Sequence, residues 1–199
     1  MVETAPKGAS VWNIANALTL LRLVMVPVFV LALLESDVSD SKTMWRCAAL
    51  VLFVAALGTD YLDGVLARAY QLITPFGQLM DPIADKALTG AAWLGLSYLG
   101  MIPWWVTIVI LGRELGITLL RLWVIRRGVI PASRGGKIKT VLQGVTIAWY
   151  LTPWYAWDWE FMERVSPVLL TAALLATVMS GLDYVRSAWR GAREENDAA

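Results

Sequence analysis

Six apolar stretches govern what this chain can fold into: Leu18–Leu34, Met44–Arg68, Gly77–Tyr98, Pro103–Ile125, Ile138–Trp154 and Val165–Arg186. Most are near the roughly 20 residues that a helix needs to cross a bilayer. They are continuous apolar runs rather than short strands of alternating polarity, which favours helices over a barrel. With 58% hydrophobic residues, a mean hydropathy of +0.58 and 17% charged residues over 199 positions, the composition does not describe a soluble domain. The expected fold class is an all-α integral membrane protein with six transmembrane helices.

Charge between the stretches orients such a bundle. Glu35–Asp40 is acidic, Leu99–Pro103 is uncharged, and Asp158–Arg164 holds three acids and one base. Lys7, Arg68, the run Arg126, Arg127, Arg134, Lys137 and Lys139, and finally Arg186, Arg190 and Arg193 fall on the opposite side, which the positive-inside rule assigns to the cytoplasm. Both termini are expected inside. The domain plan is a cytoplasmic or interfacial segment over 1–17, a six-helix membrane domain over 18–190, and a polar tail over 191–199 expected to lack structure. Val11–Arg22 mixes polar and apolar positions, as an interfacial helix would. Glu3 and the lack of a small-residue cleavage site argue against a removable signal. Cys47, the only cysteine, rules out an intrachain disulfide, and its place in an apolar stretch suggests packing. Trp104, Trp105, Trp154, Trp157 and Trp159 read as interfacial anchors.

Against this background four aspartates stand out: Asp60 and Asp63 in the second stretch, Asp81 and Asp85 in the third. Carboxylates among apolar residues carry a desolvation cost that pairing with cations offsets. Helical residues advance about 100° each, so Asp60, Asp63, Gly64 and Ala67 share a face, with Arg68 at its edge. Gly77, Asp81 and Asp85 form a second such stripe. The short connection Ala69–Phe76 makes the two helices antiparallel neighbours and sets the acids opposite one another. A cage of oxygen donors, in a chain without histidine, suits a hard cation such as Mg²⁺ or Mn²⁺ and argues against zinc. Gly64 and Gly77 make room either for a ligand or for a tight helix crossing. Intramembrane acids also line cation transporters, but here all four cluster toward one side and the outer halves of the stretches offer no matching polar route.

These residues carry a resemblance. Asp60, Asp63, Gly64, Ala67, Arg68, Gly77, Asp81 and Asp85 match, in order and spacing, the signature D-x-x-D-G-x-x-A-R followed by G-x-x-x-D-x-x-x-D of the CDP-alcohol phosphotransferases. The resemblance implies a six-helix fold with this signature spanning the second and third helices, and two metal ions held by Asp60, Asp63, Asp81 and Asp85. It implies Asp85 as the group that takes the acceptor's proton, and Asp60, Gly64, Ala67, Arg68 and Gly77 as the CDP pocket. A homodimer is implied as well. Asn16–Arg22, Thr59–Gly64, Gly112–Glu114 and Gly136–Thr140 resemble most the phosphatidylglycerophosphate synthase branch. That branch implies transfer from CDP-diacylglycerol to sn-glycerol 3-phosphate with release of CMP. Phosphatidylinositol-phosphate synthases and cardiolipin synthases of the same family stay open as alternatives.

A phosphorylated acceptor calls for cations. Arg113 interrupts the fourth stretch beside Glu114, with Arg121 two turns on. Arg113 is a candidate for the acceptor phosphate, the alternative being an internal pair of Glu114 with an arginine of a neighbouring helix. Ser133–Thr140 joins glycines, hydroxyls and bases ahead of a helix, a composition that holds phosphate, and makes Lys137, Lys139 and Thr140 further candidates. Arg134 fits equally a plain topological signal.

Overall fold

A computed structural model of the chain describes residues 14–69, 74–124, 135–156 and 160–197. Among these the structure is all helical: α1 (Ile14–Val38), α2 (Lys42–Ala69), α3 (Pro75–Tyr98), α4 (Trp104–Val124), α5 (Gly135–Leu151) and α6 (Glu160–Asp197), with a short 3-10 turn at Trp154–Ala156. Three helical segments, Asn16–Val38, Lys42–Asp60 and Glu163–Ser187, are long and apolar enough to cross a membrane. Exposed Val24 and Leu31 on α1, Val51 on α2 and Leu175, Met179 and Leu182 on α6 give these helices apolar outer faces suited to acyl chains.

The chain forms two compact units. The first contains α1, α2 and α3 as far as Gly95. Here α1 runs antiparallel to α2, because Arg22 meets Asp60 at one end while Phe29 stacks on Phe53 further along, ring centroids 5.9 Å apart. It runs parallel to α3, since Thr19 meets Asp81 and Leu33 meets Gly95 in the same register. Two glycines set the close approach of α1 to α3. A Cβ on Gly95 would lie 2.5 Å from Leu33 Cδ2, and one on Gly77 would lie 2.8 Å from Asn16 Oδ1. Small residues let membrane helices pack backbone to backbone in this way. The sense of α2 against α3 is therefore antiparallel, as the short connection predicts.

The start of α3 shows how local chemistry fixes its position. Thr74 is the N-cap: its Oγ1 accepts from the Gly77 amide at 3.1 Å, and Pro75 takes the first helical position, where its missing N–H costs nothing. The same hydroxyl donates to Asn16 Oδ1 at 3.0 Å, so the cap is also a contact with α1.

The second unit holds the end of α3, α4, α5 and α6. A left-handed Gly100 (φ 68°) ends α3, with Met101 N–H bonding Leu96 O and Gly100 N–H bonding Ser97 O, a Schellman cap that turns the chain toward Pro103 and α4. Polar bonds join α5 to α6 inside an apolar setting: Gln143 Nε2 donates to Thr177 Oγ1 at 2.8 Å, and Trp149 Nε1 to Ser166 Oγ at 3.0 Å.

Three expectations are corrected. From Ile14 onward the polar opening of the chain is part of α1, not a separate interfacial helix, because Asn16, Thr19 and Arg22 face inward, each at most 3% exposed. The polar tail is helical through Asp197, where it continues α6 without a break and Ala192, Arg193, Glu194 and Glu195 favour the helix. At 38 residues α6 is about 57 Å long, well beyond a hydrocarbon core of about 30 Å. Cys47 is exposed rather than packed, because in a membrane helix an apolar position serves a lipid-facing side as well as a core.

Candidate active site

Asp60 lies in the second half of α2 and Asp81 in the first half of α3, and α1 brings both to one place. Thr19 Oγ1 donates to Asp81 Oδ1 at 2.6 Å. One turn further along the same face, Arg22 Nη1 lies 2.7 Å from Asp60 Oδ1. Arg22 is fully buried, whereas the Asp60 side chain is 44% exposed. Asp81 and Asp85 are half-buried. Asp85 sits one turn beyond Asp81, its backbone carbonyl accepting from Thr89 Oγ1 at 2.9 Å. Gly64 is half-buried on α2 and Gly77 is buried on α3.

The side chains of Asp63, Ala67 and Arg68 lie outside the described residues, as do Arg134 and the side chain of Arg121. Among the described residues no group of three or more histidine, cysteine, aspartate or glutamate side chains is placed to hold a metal. The donors that are described fit a hard cation in kind: they are carboxylate oxygens, and Thr19 uses one of the roughly four lone-pair positions of Asp81. Gly77 gives its space to Asn16, which is the tight-crossing reading of that glycine.

A second polar cluster lies within the second unit. Lys139 Nζ bonds Glu114 Oε1, and Arg113 Nη1 lies 3.2 Å from the same oxygen. Arg113 Nη2 donates to Ser180 Oγ at 2.9 Å. The guanidinium lies against Gly181, where a Cβ would stand 3.1 Å from both Cγ and Nε of Arg113. Two of the expected phosphate-holding cations thus share one carboxylate, and the partner that a neighbouring helix brings to Glu114 is a lysine, Lys139, rather than an arginine. Lys137 and Thr140 are exposed on α5, and Thr140 Oγ1 bonds back to Gly136 O at 3.1 Å. The structure therefore gathers Arg113 and Lys139 and leaves Lys137 and Thr140 apart from them.

In the sequence Asn16, Thr19 and Arg22 belong to a polar opening and to one of the segments that carry the branch resemblance, but nothing there marks them as partners of the carboxylates. The available signal was their spacing, i, i+3 and i+6, which puts three polar side chains on one face of an apolar helix.

Known proteins identify the family. The family model described as CDP-alcohol phosphatidyltransferase matches residues 12–180. This chain belongs to that family, which defines it as a transferase of substituted phosphate groups and sets aside the transporter reading. Such enzymes generally use a divalent metal. The chain is 52% identical over 182 residues to a "Probable phosphatidylglycerophosphate synthase" of Mycobacterium tuberculosis, covering 92% of this chain and 84% of that protein. It is 34% identical over 196 residues to the "CDP-diacylglycerol--glycerol-3-phosphate 3-phosphatidyltransferase" of Bacillus subtilis, covering 93% of this chain and 100% of that one. A protein with the same name from Escherichia coli is 36% identical over 185 residues, 89% of this chain and 95% of its own length.

Proposed function

We propose that this enzyme transfers the phosphatidyl group of CDP-diacylglycerol to the primary hydroxyl of sn-glycerol 3-phosphate, forming phosphatidylglycerophosphate and CMP. The observation that carries the reading is the meeting of Asp60 and Asp81 on α1 in a chain whose full-length relatives bear the name of that reaction. Six spans with both termini in the cytoplasm put the aspartates near the cytoplasmic face of the cell membrane, where the water-soluble acceptor arrives. A lateral opening lets the two acyl chains stay in the bilayer while the diphosphate reaches the carboxylates. A homodimer is the expected assembly.

Asp60, Asp63, Asp81 and Asp85 would hold two divalent cations, Mg²⁺ or Mn²⁺. When bound, such ions supply positive charge to the diphosphate and to the departing CMP. Asp85 accepts the proton of the attacking hydroxyl, a role open to a half-buried carboxylate. Asp60, Gly64, Ala67, Arg68 and Gly77 form the CDP pocket, with Arg68 facing negative charge and Gly77 acting through the close seat that it gives α1. Arg113 and Lys139 hold the acceptor phosphate, which competes with Glu114 for them, and Lys137 and Thr140 line its approach.

An acceptor panel tests this reading. Purified protein is given CDP-diacylglycerol with glycerol 3-phosphate, inositol phosphate, serine or phosphatidylglycerol, and the lipid product is identified by mass. Phosphatidylglycerophosphate formed from glycerol 3-phosphate alone is the expected result. Turnover only with inositol phosphate, or cardiolipin from phosphatidylglycerol, would assign the chain to another branch of the family.

A further inference from the structure

The fully buried polar stripe of α1 is absent from every role assigned so far. Thr19 and Arg22 are 1% and 0% exposed, on a helix whose other faces are apolar. Burying a hydroxyl and a guanidinium carries a desolvation cost that their contacts must offset. Thr19 and Arg22 each contact a carboxylate of the site, one on each of the two other helices.

The direction of burial matters. In each pair the donor is the buried partner and the carboxylate is the open one: Arg22 is enclosed while Asp60 is 44% exposed, and Thr19 is enclosed while Asp81 is half-buried. Here one oxygen of each carboxylate is held by a buried donor of α1, while the residue that carries it keeps part of its surface exposed. On Asp81 the Thr19 bond takes Oδ1, and Oδ2 lies on the side of Gly77, 3.8 Å from where a Cβ would stand. A single short bond to one oxygen fixes the rotation of the carboxylate plane, which is the freedom that a hard cation would otherwise have to remove on binding.

We propose that Thr19, together with Arg22, is a positioning residue that orients Asp81 and Asp60 for a divalent cation. The proposal rests on the reading that these aspartates hold metal. Thr19 contributes alignment through its hydroxyl. Arg22 contributes alignment and one fixed positive charge, which lowers the mutual repulsion of carboxylates gathered from two helices. Partners of this kind behind a metal ligand are typically worth about 10- to 100-fold in metal affinity.

The test measures Mn²⁺ binding to the full-length protein in lipid nanodiscs, with CMP present, by electron paramagnetic resonance of the free ion. Thr19→Val removes the hydroxyl at nearly constant volume and should weaken Mn²⁺ binding about 10- to 100-fold. Thr19→Ser should restore affinity close to that of the unaltered protein. Thr89→Val, which removes a hydroxyl bonded to a backbone carbonyl of the same region, should leave it unchanged. If Asp81→Asn weakens binding while Thr19→Val does not, the positioning role is overturned and the metal reading stands. If Asp81→Asn binds Mn²⁺ as well as the unaltered protein, the metal reading itself fails. Should Thr19→Val not fold, Arg22→Lys carries the same test, since it keeps the buried charge and loses the planar fork, and unchanged affinity would again overturn the proposal.

Discussion

Thr19 Oγ1 donates a 2.6 Å hydrogen bond to Asp81 Oδ1, joining residues 62 positions apart in the chain. Together with Arg22 on Asp60, this bond makes the first helix a part of the site rather than a membrane anchor beside it. The carboxylates come from α2 and α3, but α1 determines where they meet. A hydrogen bond to a charged group is worth about 1.5–3 kcal/mol, enough to matter to both stability and alignment.

Asp85→Asn should lower kcat by about 10²- to 10⁴-fold, the usual range for a lost general base. CDP-diacylglycerol binding should be largely kept, because the isosteric amide changes charge and not size. Equilibrium binding of the lipid nucleotide alongside steady-state kinetics checks this, and lost binding with normal turnover at saturation would refute the assignment.

Lys139 is buried on Glu114 and Lys137 is exposed on the same helix. Lys139→Ala should therefore raise KM for glycerol 3-phosphate by about 10-fold or more, in line with loss of one charge-assisted bond. Lys137→Ala should have a smaller effect, and both should leave KM for the lipid nearly unchanged. Equal effects of the two substitutions would contradict the separation seen on α5.

Gly181 gives Arg113 its seat on α6. A methyl group there must push aside a side chain whose Nη2 is held by Ser180 and whose Nη1 is held by Glu114. Gly181→Ala should raise KM for glycerol 3-phosphate more than it lowers kcat. An unchanged KM would show that the position of Arg113 is immaterial to acceptor binding.

Two helix glycines provide an internal comparison of packing. Nothing lies within 4 Å of a Cβ placed on Gly58, so Gly58→Ala should raise stability by up to about 1 kcal/mol through helix propensity alone. Gly95→Ala drives a methyl onto Leu33, itself 1% exposed, and should cost about 1–3 kcal/mol. Gly95→Ala combined with Leu33→Ala should cost less than the sum of the two single substitutions, as read from thermal unfolding in detergent.

Much of this was legible in the sequence. The six helices follow from apolar run length, and the stripes of Asp60 with Gly64 and of Gly77 with Asp81 and Asp85 follow from helical periodicity. The pairing of Thr19 with Asp81 and of Arg22 with Asp60 was not, because it depends on how α1 packs against two helices distant in sequence. Periodicity shows which side chains share a face but not what that face meets. Lys137 and Lys139 illustrate the same limit at short range, since two positions along a helix turn the side chain by about 200° and only Lys139 reaches Glu114. Cys47 shows that apolar surroundings in sequence do not distinguish a protein core from a lipid-facing surface.

The most direct measurement of the central claim is CMP release by purified protein in lipid, given CDP-diacylglycerol and glycerol 3-phosphate, before and after chelation of divalent metal. CMP formed in step with phosphatidylglycerophosphate, lost on chelation and lost in Asp81→Asn, is the result expected here. Mg²⁺ movement across liposomes without any CMP release, or release indifferent to both chelation and Asp81→Asn, would contradict it.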